Sequence, residues 1–349
     1  MPVYPFLRSL LFRLDPEDAH HLALTLLRLA ASTPPSRAWL RHAFDDLATD
    51  QPVEFCGLTF RNPLGLAAGY DKDGHTIAAL AMLGFGHIEV GTVTPQGQAG
   101  NPRPRIVRLP ADRAVINRMG FPNRGAQALH ARLVRLPRQR DFVLGLNLGK
   151  GRDTSLKRAH EDYCSLIHDL GSLADYLVIN VSSPNTQGLR QLQSRAYLDH
   201  LLPAVLAERN RAAASRDRPL PLLVKIAPDL TRAELDEILD RILAHGVDGI
   251  VATNTTLARP PLLSRASGLA GGLSGAPLRN RAREVVAHIH RHTGGHLPII
   301  GVGGILEADD AQRMLQAGAQ LVQVYTGLIY QGPGLAREIL TNLHPLQAR

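Results

Sequence analysis

Eight short β-rich runs alternate with helical stretches along most of this chain, and few folds accept that rhythm. The runs are "LGLAAG" from Leu64, "HIEVGTVT" from His87, "FVLGLNLG" from Phe142 and "YLVINVS" from Tyr176. They continue with "PLLVKIA" from Pro221, "GIVATN" from Gly249, "PIIGVGG" from Pro298 and "LVQVYTG" from Leu321. Strands separated by helices pair in parallel, and eight repeats predict a (β/α)8 barrel rather than an open doubly wound sheet. The helices carry their own signals. Thr231 and Glu234 form a capping box at the head of "TRAELDEILDRILAHG", Gly246 stops that helix, and "DDAQRMLQAGAQ" also runs into a glycine. A barrel needs roughly 250 residues, so a chain of 349 has room for additions. One is the long gap at 95–141, expected over the C-terminal face. Another is "VEFCGLTFRNP", which reads as a hairpin turning at Cys56-Gly57.

The first fifty residues differ from the rest. Phe6, Leu7, Leu10, Leu11 and Leu14 recur at helical spacing between Arg8 and Arg13. After "DPEDAHH" a second helix, "HLALTLLRLAA", is apolar over much of its circumference. Neither run approaches the 18 or so uninterrupted apolar residues of a membrane span. Arginines break the apolar runs and no convincing cleavage site follows, so a signal peptide is not expected. Such helices either pack on the main domain or lie in a membrane interface. "STPPSRAW" breaks the helices, and the domain boundary is expected near residue 50. That gives a helical extension over 1–50 and a barrel over 51–349.

Composition narrows the partners. There are 39 basic and 31 acidic residues, a net charge of +8, but no Lys/Arg block is interleaved with aromatics. Aromatics make up only 5%, too few for a base-stacking platform, so nucleic acid is not expected. The two cysteines, Cys56 and Cys164, lie in no CxxC or Cys/His cluster and read as buried small hydrophobes of a reducing compartment. Only four cations are lysines: Lys72, Lys150, Lys157 and Lys225. In a chain that uses arginine elsewhere, a retained lysine points to a specific task.

In a (β/α)8 barrel the chemistry sits where strands end. Here the ends read "AAGYDKDG" with Lys72, Thr92, Asn147, "NVSSPN" from Asn180, Lys225, "TNTT" from Thr253, Gly303-Gly304, and Tyr325-Thr326-Gly327. Three of the four lysines lie at or near these ends. Glycines after the seventh and eighth strands suit a phosphate. The remaining ends offer amides and hydroxyls. No acid pair suits glycoside hydrolysis, and no His/Asp/Glu set suits a catalytic metal. The fifteen histidines fall mostly on helices such as "VVAHIHRH", read as solvated faces. Neutral donors and lysines around a phosphate-bearing cofactor suit a flavin.

"NPLGLAAGYDKDG", "NRMGFPN", "INVSSPNTQGLR", "VKIAPD", "ATNTT", "GGLSG", "IIGVGGI" and "LVQVYTG" occur in this order. Together they closely resemble the dihydroorotate dehydrogenases of the membrane-associated, quinone-linked class, from the N-terminal helices to about residue 340. The soluble class has a cysteine where "VSSPN" has a serine, and it lacks the N-terminal extension. The resemblance implies oxidation of dihydroorotate to orotate in pyrimidine biosynthesis, with FMN as first acceptor and a membrane quinone as the second. Ser183 matches the catalytic base, with Thr186 or a water expected in its proton relay. Asn117, Arg118, Met119, Gly120 and Phe121 match a wall over the substrate. Asn180, Asn185, Asn254, Thr255 and Lys72 match its polar ligands. Ala68, Gly69, Lys72, Thr92, Asn147, Asn180, Lys225, Thr253 and Gly275 match flavin contacts, with Gly304, Tyr325 and Thr326 around the phosphate. The N-terminal helices match a quinone vestibule held against an anionic membrane surface, peripheral to the cytoplasmic face. Two other readings remain: a related flavin barrel with another substrate or a soluble acceptor, and a basic barrel that only binds.

Overall fold

A computed structural model describes residues 3–45, 51–137, 139–214, 216–266 and 268–344. The eight barrel strands are β1 (Leu64–Leu66), β2 (His87–Val93), β3 (Val143–Leu148), β4 (Tyr176–Asn180), β5 (Leu222–Ile226), β6 (Gly249–Ala252), β7 (Ile299–Val302) and β8 (Leu321–Val324). They pair in sequence order, all parallel, and the barrel closes where Val324 of β8 meets Leu66 of β1. Each expected run contains its strand; the residues beyond the strand are the strand-end loops that carry the site. The capping box at Thr231 and the left-handed Gly246 bracket the helix Arg232–His245 as expected.

Side-chain alternation explains the interior. Along β5, Leu222, Val224 and Ile226 face the helices, while Leu223 and Lys225 face the barrel axis. Along β2, Ile88 and Val90 face out and His87 and Glu89 lie within. The hairpin Val53–Phe55 and Leu58–Phe60 plugs the bottom, turning at Cys56 and Gly57, both at positive φ. Phe60 stands edge-on to His87 at 5.3 Å, and Tyr176 lies above them. These rings need space that two glycines leave open. A Cβ added at Gly65 would stand 2.2 Å from the His87 ring, and one at Gly145 would stand 2.1 Å from Tyr176.

The N-terminal segment forms three helices: α1 (Val3–Leu11), α2 (Pro16–Ala30) and α3 (Pro34–Phe44). This corrects two expectations. α2 starts at Pro16 under an Asp15 cap, not after "DPEDAHH". "STPPSRAW" ends α2 but also opens α3, because Thr33 caps it and Pro34 and Pro35 occupy its first turn, where no N–H is needed. The expected boundary near residue 50 falls among residues 46–50, outside the described residues. α1 and α2 are pinned to the barrel. Tyr4 donates to the Ile329 carbonyl at 2.7 Å, Arg8 to that of Tyr330 at 2.8 Å, and Arg105 pairs with Glu17 at 2.6 Å.

The insertion at 95–141 adds Ile106–Leu109 and Ala114–Asn117, which pair antiparallel. They are joined by Gly272–Gly275 from the crossover after β6. The motif "GGLSG" carries no sign of this pairing in the sequence, since Gly272 pairs with Asn117 and Gly275 with Ala114, far apart in the chain.

His87 is fully buried among aromatic rings, neither ring nitrogen has a hydrogen-bond partner, and burial pushes its pKa down to about 3. Between pH 6.5 and that value the unfolded chain binds a proton that the folded chain refuses. Stability therefore falls as pH falls through this window, by up to about 1.4 kcal/mol per pH unit for such a group. His20, pushed down to about 3 chiefly by burial, acts in the same direction. Urea unfolding at pH 6.5 and pH 4.5 should show a shallower loss in His87→Leu than in the parent; equal slopes would rule His87 out as a contributor.

Candidate active site

The strand ends converge on one cavity of about 470 Å³. Register brings its polar groups together: Asn180 at the end of β4 pairs directly with Lys225 of β5. Nearly every residue singled out from the sequence lines this space. Ala68, Gly69, Lys72 and Thr92 come from the first two strand ends. Asn117, Met119, Gly120 and Phe121 come from the insertion. Asn180, Ser183, Asn185, Lys225, Thr253, Asn254 and Thr255 come from the middle strands, and Gly275, Gly304, Tyr325 and Thr326 from the last part of the chain.

Thr186 of the expected relay does not line it, nor do two of the expected substrate and flavin residues. Arg118 turns outward and its guanidinium donates to the Pro104 carbonyl at 2.9 Å, so among the expected wall residues it holds the insertion loop rather than facing the cavity. Asn147 lies one layer below. Its Oδ1 accepts from Thr92 Oγ1 at 2.5 Å and from Asn180 Nδ2 at 3.0 Å, and its Nδ2 donates to Glu89 Oε1 at 2.7 Å.

The two serines of "VSSPN" have different environments. Ser182 Oγ donates to Asn180 Oδ1 at 3.0 Å and accepts from Asn254 Nδ2 at 3.0 Å, so it is tied into the scaffold. Ser183 lines the cavity. Its Oγ accepts the Asn185 backbone N–H at 3.2 Å, and among the described residues nothing accepts its proton. Thr186 Oγ1, nearby in sequence, is a buried polar atom without a partner. Asn185 Nδ2 donates to Asn117 Oδ1 at 3.2 Å, linking the wall to the strand end. Lys72 Nζ donates to the Gly69 carbonyl at 2.8 Å, and burial pushes its pKa down to about 8.

The sequence did not reveal Glu89. Its side chain is fully buried inside the barrel and accepts from Asn147 Nδ2, from Gln323 Nε2 at 2.8 Å and from the Tyr176 hydroxyl at 3.4 Å. Its Oε1 lies 3.9 Å from Lys225 Nζ. Burial pushes the pKa of Lys225 down, and the Glu89 carboxylate opposes that shift. Lys225 makes no hydrogen bond to a described residue, leaving its N–H donors for whatever fills the cavity. "HIEVGTVT" held a hint, an acid at an inward position of a parallel strand, but its partners lie 58 to 234 residues away.

The far side of the cavity is built by Tyr4, Leu11, Phe12, Ala19, His20 and Leu24 of the N-terminal helices. His20 and Tyr70 meet edge to face at 4.9 Å, and Tyr70 meets Tyr325 at 5.5 Å, so rings run from α2 to the end of β8.

The cradle fits a phosphate-bearing flavin. Gly303 and Gly304 take φ of 126° and 76°, and a Cβ at Gly304 would stand 2.3 Å from Arg279 Cα. Both glycines line the cavity at the end of β7, the usual barrel phosphate position, and leave no side chain to block an anion there. The buried, under-bonded Lys225 ammonium places fixed positive charge at the cavity floor, the kind of charge that suits an electron-accepting ring. Fold and site together define a (β/α)8 barrel of the flavin-dependent oxidoreductase class.

The profile of the family described as dihydroorotate dehydrogenase matches residues 51–346. A protein named dihydroorotate dehydrogenase (quinone) from Acidithiobacillus ferrooxidans is 52% identical over 346 residues, covering 97% of this chain and 94% of its own. One of the same name from Salinispora arenicola is 53% identical over 336 residues, covering 95% of both. A crystal structure of the Eimeria tenella enzyme in complex with ferulenol superposes with a TM-score of 0.84 at 40% identity, covering 94% of this chain and 90% of that one. The chain belongs to the dihydroorotate dehydrogenase family, and its relatives are of the quinone-linked class.

Replacing Glu89 with Gln keeps the shape, turns one acceptor oxygen into an amide donor, and removes the anion that supports the Lys225 charge. The expected result is a shift in the flavin midpoint potential and in sulfite affinity, with FMN retained: downward if Lys225 gives up its proton with the anion, upward if it keeps it. Unchanged potential and sulfite affinity would show that Glu89 only fills space.

Proposed function

We propose that this chain oxidises (S)-dihydroorotate to orotate in pyrimidine biosynthesis, passing a hydride to FMN and then electrons to a membrane quinone. The observation that carries the reading is one continuous cavity. Ser183, Lys225 and the asparagines stand at one end, and Phe12, His20 and the apolar residues of α1 and α2 stand at the other. A polar substrate and an apolar acceptor then reach the same cofactor from different sides.

The residues divide the work by their chemistry. FMN supplies the two-electron acceptor for the hydride that leaves substrate C6. Ser183 takes the proton from C5. A serine hydroxyl is a poor base at neutral pH, so its own proton must pass onward. The partnerless hydroxyl of Thr186 suits that relay, directly or through a water. Lys72 meets the substrate carboxylate. Asn117, Asn180, Asn185, Asn254 and Thr255 match the donors and acceptors of the dihydropyrimidine ring. Lys225, Thr92, Thr253 and Ala68 hold the flavin ring, and Gly275, Gly304, Tyr325 and Thr326 hold the phosphate end. Asn147 acts from beneath by orienting Thr92 and Asn180.

An anaerobic titration tests this. Dihydroorotate should bleach the bound flavin, and quinone but not fumarate or NAD should restore it. Ser183→Ala should slow bleaching by about 10² to 10⁴-fold, Thr186→Val by less, and Ser182→Ala should leave the proton-transfer role intact. A flavin that stays oxidised with dihydroorotate overturns the substrate assignment.

The domain division follows the same reading. Residues 1–50 form the quinone-access and membrane-contact extension, and 51–349 form the FMN barrel. Among the described residues no helix is long and apolar enough to cross a membrane. Yet Phe6, Leu26, Leu29 and Trp39 are 54–68% exposed on α1, α2 and α3, with Arg13, Arg28 and Arg37 nearby in sequence. That is the pattern of helices that lie in an interface, here at the cytoplasmic face of the cell membrane. Co-sedimentation should show binding to vesicles rich in phosphatidylglycerol and its loss in a Phe6/Leu26/Leu29→Ser variant. Equal binding by that variant would remove the helices from the contact.

A further inference from the structure

Far from the strand ends, two neighbouring helices of the outer ring bring four ligand-type side chains together. Asp236 and Asp240 lie one turn apart on the helix Arg232–His245, and His288 and His292 lie one turn apart on the helix Arg279–His292. Spacing of four residues puts each pair on one helical face. The two faces meet. His288 Nε2 lies 2.6 Å from Asp236 Oδ1, His292 Nδ1 lies 3.1 Å from the same oxygen, and His292 Nε2 lies 3.1 Å from Asp240 Oδ1. The imidazoles stack with centroids 6.1 Å apart. One ligand atom from each of Asp236, His288 and His292 falls within 4.8 Å of the others.

Donor counting shows what is missing. A neutral imidazole carries one N–H, but His292 faces a carboxylate oxygen from both ring nitrogens. Whichever nitrogen holds the proton, the other turns a lone pair toward an anion. A second proton or a metal cation at the Nδ1 side removes the conflict, and that is the side on which His288 and Asp236 converge. Nε2–H then donates to Asp240, the outer carboxylate that commonly orients a metal-bound histidine.

We propose that Asp236, His288 and His292 bind one zinc-like divalent cation, with Asp240 as the outer partner of His292 and water in the open position. Two imidazoles and a carboxylate suit zinc and its borderline neighbours; magnesium and calcium prefer all-oxygen sites. Tetrahedral ligands at about 2.0–2.1 Å from zinc stand roughly 3.3 Å apart, so the tightest contact, 2.6 Å between His288 Nε2 and Asp236 Oδ1, needs to open by about 0.7 Å. The cation ties together the two helices that flank residues 246–278, the segment that carries Thr253, Asn254, Thr255 and Gly275. Both imidazole ligands come from "VVAHIHRH", whose histidines were expected on a solvated face.

Equilibrium dialysis of the tag-free, chelator-stripped holoenzyme against ZnCl2 tests this, together with thermal unfolding at graded free zinc. One tight zinc per chain is expected, with a melting temperature that rises with zinc and no competition from millimolar MgCl2. His288→Ala and His292→Ala should each weaken zinc binding by at least about a hundredfold. Asp240→Asn should weaken it by about tenfold. All three variants should keep their FMN and their turnover, which shows that they fold. No stoichiometric zinc, a melting temperature indifferent to zinc, or undiminished binding by the His288→Ala/His292→Ala double variant would each overturn the site.

Discussion

The Glu89 carboxylate is the contact on which the catalytic end of this barrel depends. It is buried at the barrel axis, where an unpaired charge would be very costly. Asn147, Gln323 and Tyr176 satisfy it by hydrogen bonds, and Lys225 answers its charge. Those partners come from β3, β8, β4 and β5. One acid therefore holds four strands in a common layer and delivers an ammonium to the floor of the cavity. The next layer rests on it: Asn147 orients Thr92 and Asn180, and Asn180 fixes Ser182, which receives Asn254. Ser183 is left as the serine whose hydroxyl is free to act.

Below that layer the barrel is tightly packed and aromatic, and above it polar groups line the cavity. The hairpin with Phe55 and Phe60, the rings of His87 and Tyr176, and the space left by Gly65 and Gly145 close the bottom against water. Sealing the lower end strengthens every electrostatic contact above it, because the effective dielectric falls. The upper end is closed by added elements. The insertion and the Gly272–Gly275 strand form one small sheet, and the N-terminal helices lie against the insertion through the ion pairs of Arg105 and Arg103 with Glu17. The same helices build the apolar part of the cavity and expose an apolar outer surface.

The barrel was readable in the sequence because each strand announces itself locally. A short β-rich run, a polar or glycine end and a following helical stretch recur eight times, and the cap at Thr231 and stop at Gly246 need only neighbouring residues. The third helix was obscured by its two prolines, which read as breakers until Thr33 is seen to cap them. Most of the site was also readable, since strand ends in a closed barrel must converge. Asn147, a layer below the cavity, and Arg118 were the exceptions; Arg118 turns away from it. It sits in a motif that lines the cavity, but a long side chain goes where acceptors are, and the Pro104 carbonyl lies on the outside.

Local pattern by itself determined the eight strands, their order, the helical extension and the polar set at the strand ends, because these depend on residues within a turn or two of each other. Which serine is free, what supports Lys225, and how the insertion pairs with the crossover after β6 were decided only by the tertiary structure. So was the approach of Asp236 and Asp240 to His288 and His292, some 52 residues apart. Each of these is a contact between segments far apart in the chain, where distance, burial and the direction of a hydrogen bond are set by closure of the barrel.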